Sequence, residues 1–243
     1  MSAPESQPGT IEKPVECPKC HRIFDYALYP DIRIPGNNKL KKKILRKEMF
    51  YPVCPYCGEE FKIKGECIYR DMNKKELYIV TESLASGILD LVKTGGIPLD
   101  DIKADDEEMT FFKSLLKKRV VDNVDAFREK ILLSDCNYDD RIMELIKLSL
   151  SGILEKENHT PVYRIFLEDA SGSTLEFTAF LGAIPPFETA TIKTGASVYT
   201  YFSDKYLDQL GNPEDDEYIL TDQKWARNSG LLKEDDAGFV IPM

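Results

Sequence analysis

Four cysteines in two short pairs, Cys17-Pro18-Lys19-Cys20 and Cys54-Pro55-Tyr56-Cys57-Gly58, restrict what this chain can fold into more than any other feature of it. Two intervening residues bend the backbone enough to bring both thiols of a pair to one ion, and two pairs supply the four soft ligands of a tetrahedral site. Proline after the first cysteine pre-sets φ for the turn, and Gly58 after the second pair can take positive φ and lead the chain onward. His21 stands where the first pair would have its glycine. The 33 residues between Cys20 and Cys54 exceed the roughly 15 to 20 of a compact ribbon. An inserted element therefore lies between two hairpins.

Three chemistries fit such cysteines. One structural Zn2+ per chain, held by Cys17, Cys20, Cys54 and Cys57, leads because four thiolates leave no open coordination position. Rubredoxin-like iron stays open as the less favoured ion, since Phe24, Tyr56 and Phe61 could screen a redox site. A redox dithiol would need a helix starting at the motif to lower a thiol pKa. Phe24, Tyr26 and Leu28 instead alternate as in a strand. His21 could hydrogen-bond a thiolate or replace a cysteine as ligand.

The insert reads as a helix over 39–48, with Leu40, Ile44 and Leu45 on one face and Asn38 as N-cap. Lys39, Lys41, Lys42, Lys43, Arg46 and Lys47 crowd its remaining surface. Of these, Lys39, Lys42, Lys43, Arg46 and Lys47 are the candidate contact residues for nucleic acid or an acidic protein partner. A solvated face whose charge offsets the −2 of a zinc with four thiolates is the plainer reading.

The rest of the chain alternates between the two periodicities. Residues 1–14, rich in proline and small polar residues, read as an unstructured lead-in. Phe61, Ile63, Cys67 and Tyr69 alternate as a strand, with Cys67 inward; Asp71-Met72-Asn73 turns it into a partner over 77–80. Helical patterns follow over 83–93 and in a long stripe, Phe112, Leu116, Val120, Val124, Phe127 and Ile131, after an acidic stretch at 100–108. A further helix opens at Asn137-Tyr138-Asp139-Asp140 and buries Ile142, Leu145, Ile146, Ser149 and Leu150. From His159 the period returns to two: strands over 162–168 and 174–181, a third over 188–193, then helices over 197–210 and around Trp225.

Net charge is −10 and hydrophobic content 42%. Residues 1–82 carry 15 Lys and Arg against 12 Asp and Glu, and the remainder 17 against 30, so the body is acidic and unsuited to coating nucleic acid generally. No apolar run approaches the roughly 18 residues of a membrane span, and 1–10 lack a secretory pattern. The expected location is the cytoplasm, without membrane contact. Phosphate loops, nucleophile elbows and H-E-x-x-H pairs are missing from the sequence, and no catalytic residue is assigned. Cys136 reads as structural, and the carboxylates at 105–108 and 214–217 lack the alternation of a calcium loop.

As a set, the two C-P-x-C knuckles, the helix between them, Tyr69-Arg70-Asp71, and Asp139-Asp140-Arg141 followed by Glu144-Leu145-Ile146-Lys147 resemble the CpXC family, a group of mostly bacterial proteins. The resemblance covers residues 15 to about 155. It implies that the four motif cysteines bind metal, and it transfers no catalytic residue. The expected fold is α+β: zinc-ribbon-like antiparallel hairpins with an inserted helix (15–82), a helical segment (83–156) and a C-terminal α+β unit (159–243). The expected role is a zinc-binding protein acting as a binding or adaptor module, with nucleic-acid binding through 39–47 and redox or electron transfer through the cysteine pairs as alternatives.

Overall fold

The computed structural model describes residues 9–81, 114–212 and 219–232. The helix expected over 83–93 and the acidic stretches at 100–108 and 214–217 lie outside the described residues. The chain is α+β. Its described residues divide into two compact units between Phe127 and Arg128, with Ile219 belonging to the first and Leu220 onward to the second.

In the first unit, β1 (Ile11–Glu16) and β2 (Ile23–Leu28) form an antiparallel hairpin, Ile11 opposite Leu28 and Glu16 opposite Ile23, that frames the first cysteine pair. Strand structure thus takes Ile11 to Pro14 out of the stretch expected to lack it. Pro14 is tolerated because a two-stranded ribbon leaves each strand an edge needing no donor. β3 (Asp31–Ile34) runs parallel to β4 (Cys67–Asp71), which pairs antiparallel with β5 (Glu76–Val80), itself parallel to β6 (Lys117–Val121). Ile219 of β10 (Ile219–Leu220) borders β6 at the edge of this sheet.

The inserted helix is present as α1 (Asn38–Leu45), anchored by buried Leu40 and Ile44 one turn apart. Its N-cap is Asn37 and not Asn38; the Asn37 Oδ1 accepts from the Arg33 backbone N–H at 2.9 Å, so it closes the preceding turn and leaves the helix end alone. The strand expected from Phe61 begins only at Cys67. Phe61 and Ile63 instead donate their N–H groups to the carbonyls of Pro52 (3.2 Å) and Phe50 (3.0 Å). Gly65 then passes so close to Phe50 and Val124 that a Cβ there would lie 2.5 Å from the Val124 Cγ1.

The long helix expected through Val120 is corrected: β6 occupies Lys117–Val121, and α2 (Val124–Asp135) starts after it. Asn123 ends the strand and starts the helix, its Oδ1 accepting from the Ala126 N–H at 2.8 Å. Val120 and Val121 are both buried, the pattern of an inner strand with two covered faces. Phe127, in the first turn of α2, meets the stacked rings of Tyr69 and Tyr78 edge-on at 5.5 and 6.5 Å.

The second unit contains the rest of α2, α3 (Asp140–Asn158), an antiparallel sheet β7-β8-β9 (Val162–Asp169, Thr174–Leu181, Glu188–Gly195), α4 (Ser197–Tyr206) with a short 3-10 turn after it, and α5 (Gln223–Asn228). Leu175, Phe177, Ala179 and Leu181 share the inner face of β8, as alternation predicts, and pack with Ile142, Leu145, Ile146 and Leu150 of α3 and Phe202 of α4. Asp139 caps α3 by accepting from the Arg141 N–H at 2.8 Å. Among the described residues no helix is long and apolar enough to cross a membrane.

Candidate metal centre

Both cysteine pairs are built on one backbone pattern. In the first, the Cys17 N–H donates to the Arg22 carbonyl (3.0 Å) and the His21 N–H to the Cys17 carbonyl (2.9 Å). In the second, the Cys54 N–H donates to Glu59 (2.8 Å) and the Gly58 N–H to Cys54 (2.9 Å), at the same offsets. The residue after each second cysteine is left-handed, His21 at φ 57° and Gly58 at φ 73°. His21 therefore does the work of the missing glycine. Its ring Nδ1 lies 3.0 Å from the Glu16 Oε1, and the group of converging ligand atoms consists of the four sulfurs without it, so it is not placed as a substitute ligand.

The four sulfurs converge, all within 4.8 Å of one another. The Cys17 and Cys57 Sγ atoms are 3.6 Å apart and those of Cys20 and Cys54 3.7 Å. A tetrahedron with metal–sulfur bonds of about 2.3 Å has edges of about 3.8 Å, so these pairs already stand at ligand spacing. Cys17 and Cys54 are buried, Cys20 is half-buried and Cys57 is exposed; none forms a disulfide. Four close cysteines of this kind can hold a metal ion.

Electrostatics agree with the geometry. Burial pushes the Cys54 thiol up, but the backbone N–H groups of Tyr56 and Cys57 and the neighbouring thiols outweigh it and bring it down to about 7. At Cys57 the Glu59 N–H pulls down, while burial and the thiols of Cys20, Cys17 and Cys54 push it up to about 12. Without a cation, one thiol ionises readily only because its neighbour keeps a proton; four thiolates at once require positive charge at the centre.

Three side-chain contacts also tie the knuckles together: Lys19 to Glu59 at 2.9 Å, the Arg22 guanidinium over the Tyr56 ring at 5.1 Å, and Phe24 edge-on to Phe61 at 6.3 Å. The ion pair is largely exposed and screened by water, so it holds the knuckles only weakly. A bound structural metal contributes on the order of 10 kcal/mol or more and would dominate.

The other sequence-level candidates are placed apart from the sulfurs' chemistry. Cys67 points inward, where burial first and the Asp31 carboxylate second raise its thiol pKa. Lys39, Lys42, Lys43 and Arg46 are exposed on α1, Arg46 lying 4.0 Å from Glu48, whereas Lys47 is half-buried at φ 60°. Lys41 reaches the buried Asp71 carboxylate at 3.7 Å.

A family model described as CpXC protein matches residues 15–147, more than half of the chain. The chain belongs to the CpXC family. No curated protein and no solved structure matches it. The CpXC segment holds both knuckles and the Tyr69-Arg70-Asp71 run, for which the structure gives an architectural account: Tyr69 joins the aromatic core, and Asp71 accepts from the N–H groups of Asn73 and Lys74, both at 3.1 Å, closing the β4–β5 turn.

The segment ends at Lys147, and its last turns carry a group that sequence reasoning missed. Glu129 and Lys130 of α2 and Asp140, Glu144 and Lys147 of α3 are each no more than 3% exposed. Lys130 pairs with Asp140 (3.0 Å) and Glu144 (3.3 Å), Lys147 with Glu129 and Glu144 (both 2.8 Å). Two sequence signals touch it: Asp140, Glu144 and Lys147 fall in the runs that carry the family resemblance, and they stand four and three residues apart on one helix face.

Proposed function

We propose that this CpXC protein is a zinc-stabilised binding or adaptor module of the cytoplasm, with one Zn2+ held by Cys17, Cys20, Cys54 and Cys57. The observation that carries the reading is the convergence of four sulfurs from two matched knuckles, with the Cys17–Cys57 and Cys20–Cys54 pairs at tetrahedral edge length. Four thiolates close the coordination sphere, which favours a structural ion over a catalytic one, and zinc over ions that need oxygen or open positions. The ion would clamp the β1–β2 hairpin to the second knuckle and hold the intervening β3–α1 segment for recognition of a protein partner. Elemental analysis of the purified chain tests it. One zinc per chain is expected, lost in Cys20→Ser and Cys54→Ser; a red-brown protein containing iron, or variants that keep one tight zinc, would overturn the assignment.

The exposure of Lys39, Lys42, Lys43 and Arg46 together on α1 favours a second reading, contact with nucleic acid. Phosphate contacts make affinity fall steeply with salt. Binding to a single-stranded oligonucleotide across a salt series should then be abolished by Lys42→Glu/Lys43→Glu/Arg46→Glu. Affinity independent of salt or of these changes would discard the reading.

A further inference from the structure

Glu144 lies among buried charged groups of the second unit. Around Glu144 the described groups are Glu129 and Lys130 from α2, Asp140 and Lys147 from α3 itself, the Leu167 N–H of β7, and the Thr221 carbonyl and Gln223 amide from the segment leading into α5. Three carboxyl groups and two ammonium groups of the described residues thus meet where each is almost wholly buried. Arg128 and Arg141, the nearest guanidinium groups in sequence, engage Glu168 (3.2 Å) and Asp139 (2.8 Å).

The geometry sets one of these carboxyl groups apart. Lys130 lies nearest to Asp140, and Lys147 lies 2.8 Å from Glu129, whose other oxygen accepts from the Leu167 N–H at 2.7 Å. Glu144 takes both lysines on one oxygen, Oε1, at 3.3 and 2.8 Å. Its other oxygen, Oε2, is buried with no hydrogen-bond partner. Half of a carboxylate left without donors in an apolar interior is far less favourable than an uncharged hydroxyl in the same place.

We propose that Glu144 is a proton-binding site, a neutral carboxylic acid in the folded protein at pH 7, with the proton on Oε2 and Oε1 accepting from Lys130 and Lys147. Oε2 is then a hydroxyl and no longer a carboxylate oxygen without a donor. Burial acts in the same direction, raising the Glu144 pKa against the opposing pull of Lys147 and Lys130. In the unfolded chain the same glutamate ionises near 4.3, so at neutral pH folding takes up one proton. The stabilisation from this proton is complete below the unfolded value and is lost as pH rises through the folded one, the folded-to-unfolded ratio falling about tenfold per pH unit between them.

Infrared spectroscopy of the full-length protein at pH 7 tests the proposal. A carboxylic-acid C=O stretch that shifts in D2O is expected in the wild type, lost in Glu144→Gln and kept in Glu176→Gln, whose carboxyl pairs with Lys193 near the surface. Should Glu144→Gln fail to fold, wild-type protein carrying 13C at the glutamate carboxyl carbons serves instead: one resonance at the position of a protonated acid is expected at pH 7. A wild type whose glutamates are all ionised at pH 7, or a protonated-acid band that persists in folded Glu144→Gln, would overturn it.

Discussion

At the scale of single residues, the metal centre depends on backbone conformation as much as on sulfur. His21 occupies the left-handed region at φ 57° that Gly58 takes freely in the matching knuckle, and its exposed pairing with Glu16 contributes little. His21→Gly should therefore retain the metal with stability unchanged or slightly higher, whereas His21→Val, β-branched and less tolerant of that region than histidine, should lower stability, read by urea denaturation of the metal-loaded protein. Acid should release the ion, because the thiolates that hold it become protonated; Cys54, brought down to about 7 in the metal-free cluster, is the thiol most readily kept ionised as pH falls. The cysteines were legible in the sequence because a C-P-x-C knuckle is a local object, complete within five residues. The buried charges were not, since nothing local to Glu129, Lys130 or Glu144 signals burial and their partners come from other segments.

Among the elements, close packing around the start of α2 sets the strictest requirement. A methyl group at Gly65 would meet Val124 and Phe50 at 2.5 to 2.9 Å. Gly65→Ala should cost about 1–3 kcal/mol through overpacking, and Phe127→Ala about 3–5 kcal/mol through the cavity left beneath Tyr69 and Tyr78, both measurable as shifts in denaturation midpoint. Strand β8 and helix α3 were legible because each has one buried face and a clean period. The stripe from Phe112 to Ile131 misled: Val120 and Val124 hold helical spacing by coincidence, one on a strand and the other on a helix, with Asn123 making the change between them. Strand β6 runs parallel to β5 and buries the consecutive residues Val120 and Val121, which left no alternation to read.

For the whole molecule, the division into two compact units places the four thiols in one and the buried ionic cluster in the other. A strong chelator should lower the thermal transition reported by Tyr69, Tyr78 and the β1–β2 hairpin. Lys130→Met, which removes the ammonium group shared by Asp140 and Glu144, should destabilise the second unit by about 3–5 kcal/mol, followed by the fluorescence of Trp225. A chelator effect on both transitions alike would contradict a metal confined to the knuckles.

X-ray absorption at the zinc edge of the protein as purified tests the central claim most directly. The account predicts a first shell of four sulfur atoms at about 2.3 Å. A shell containing nitrogen or oxygen in place of sulfur, or absorption at the iron edge in place of the zinc edge, would contradict it.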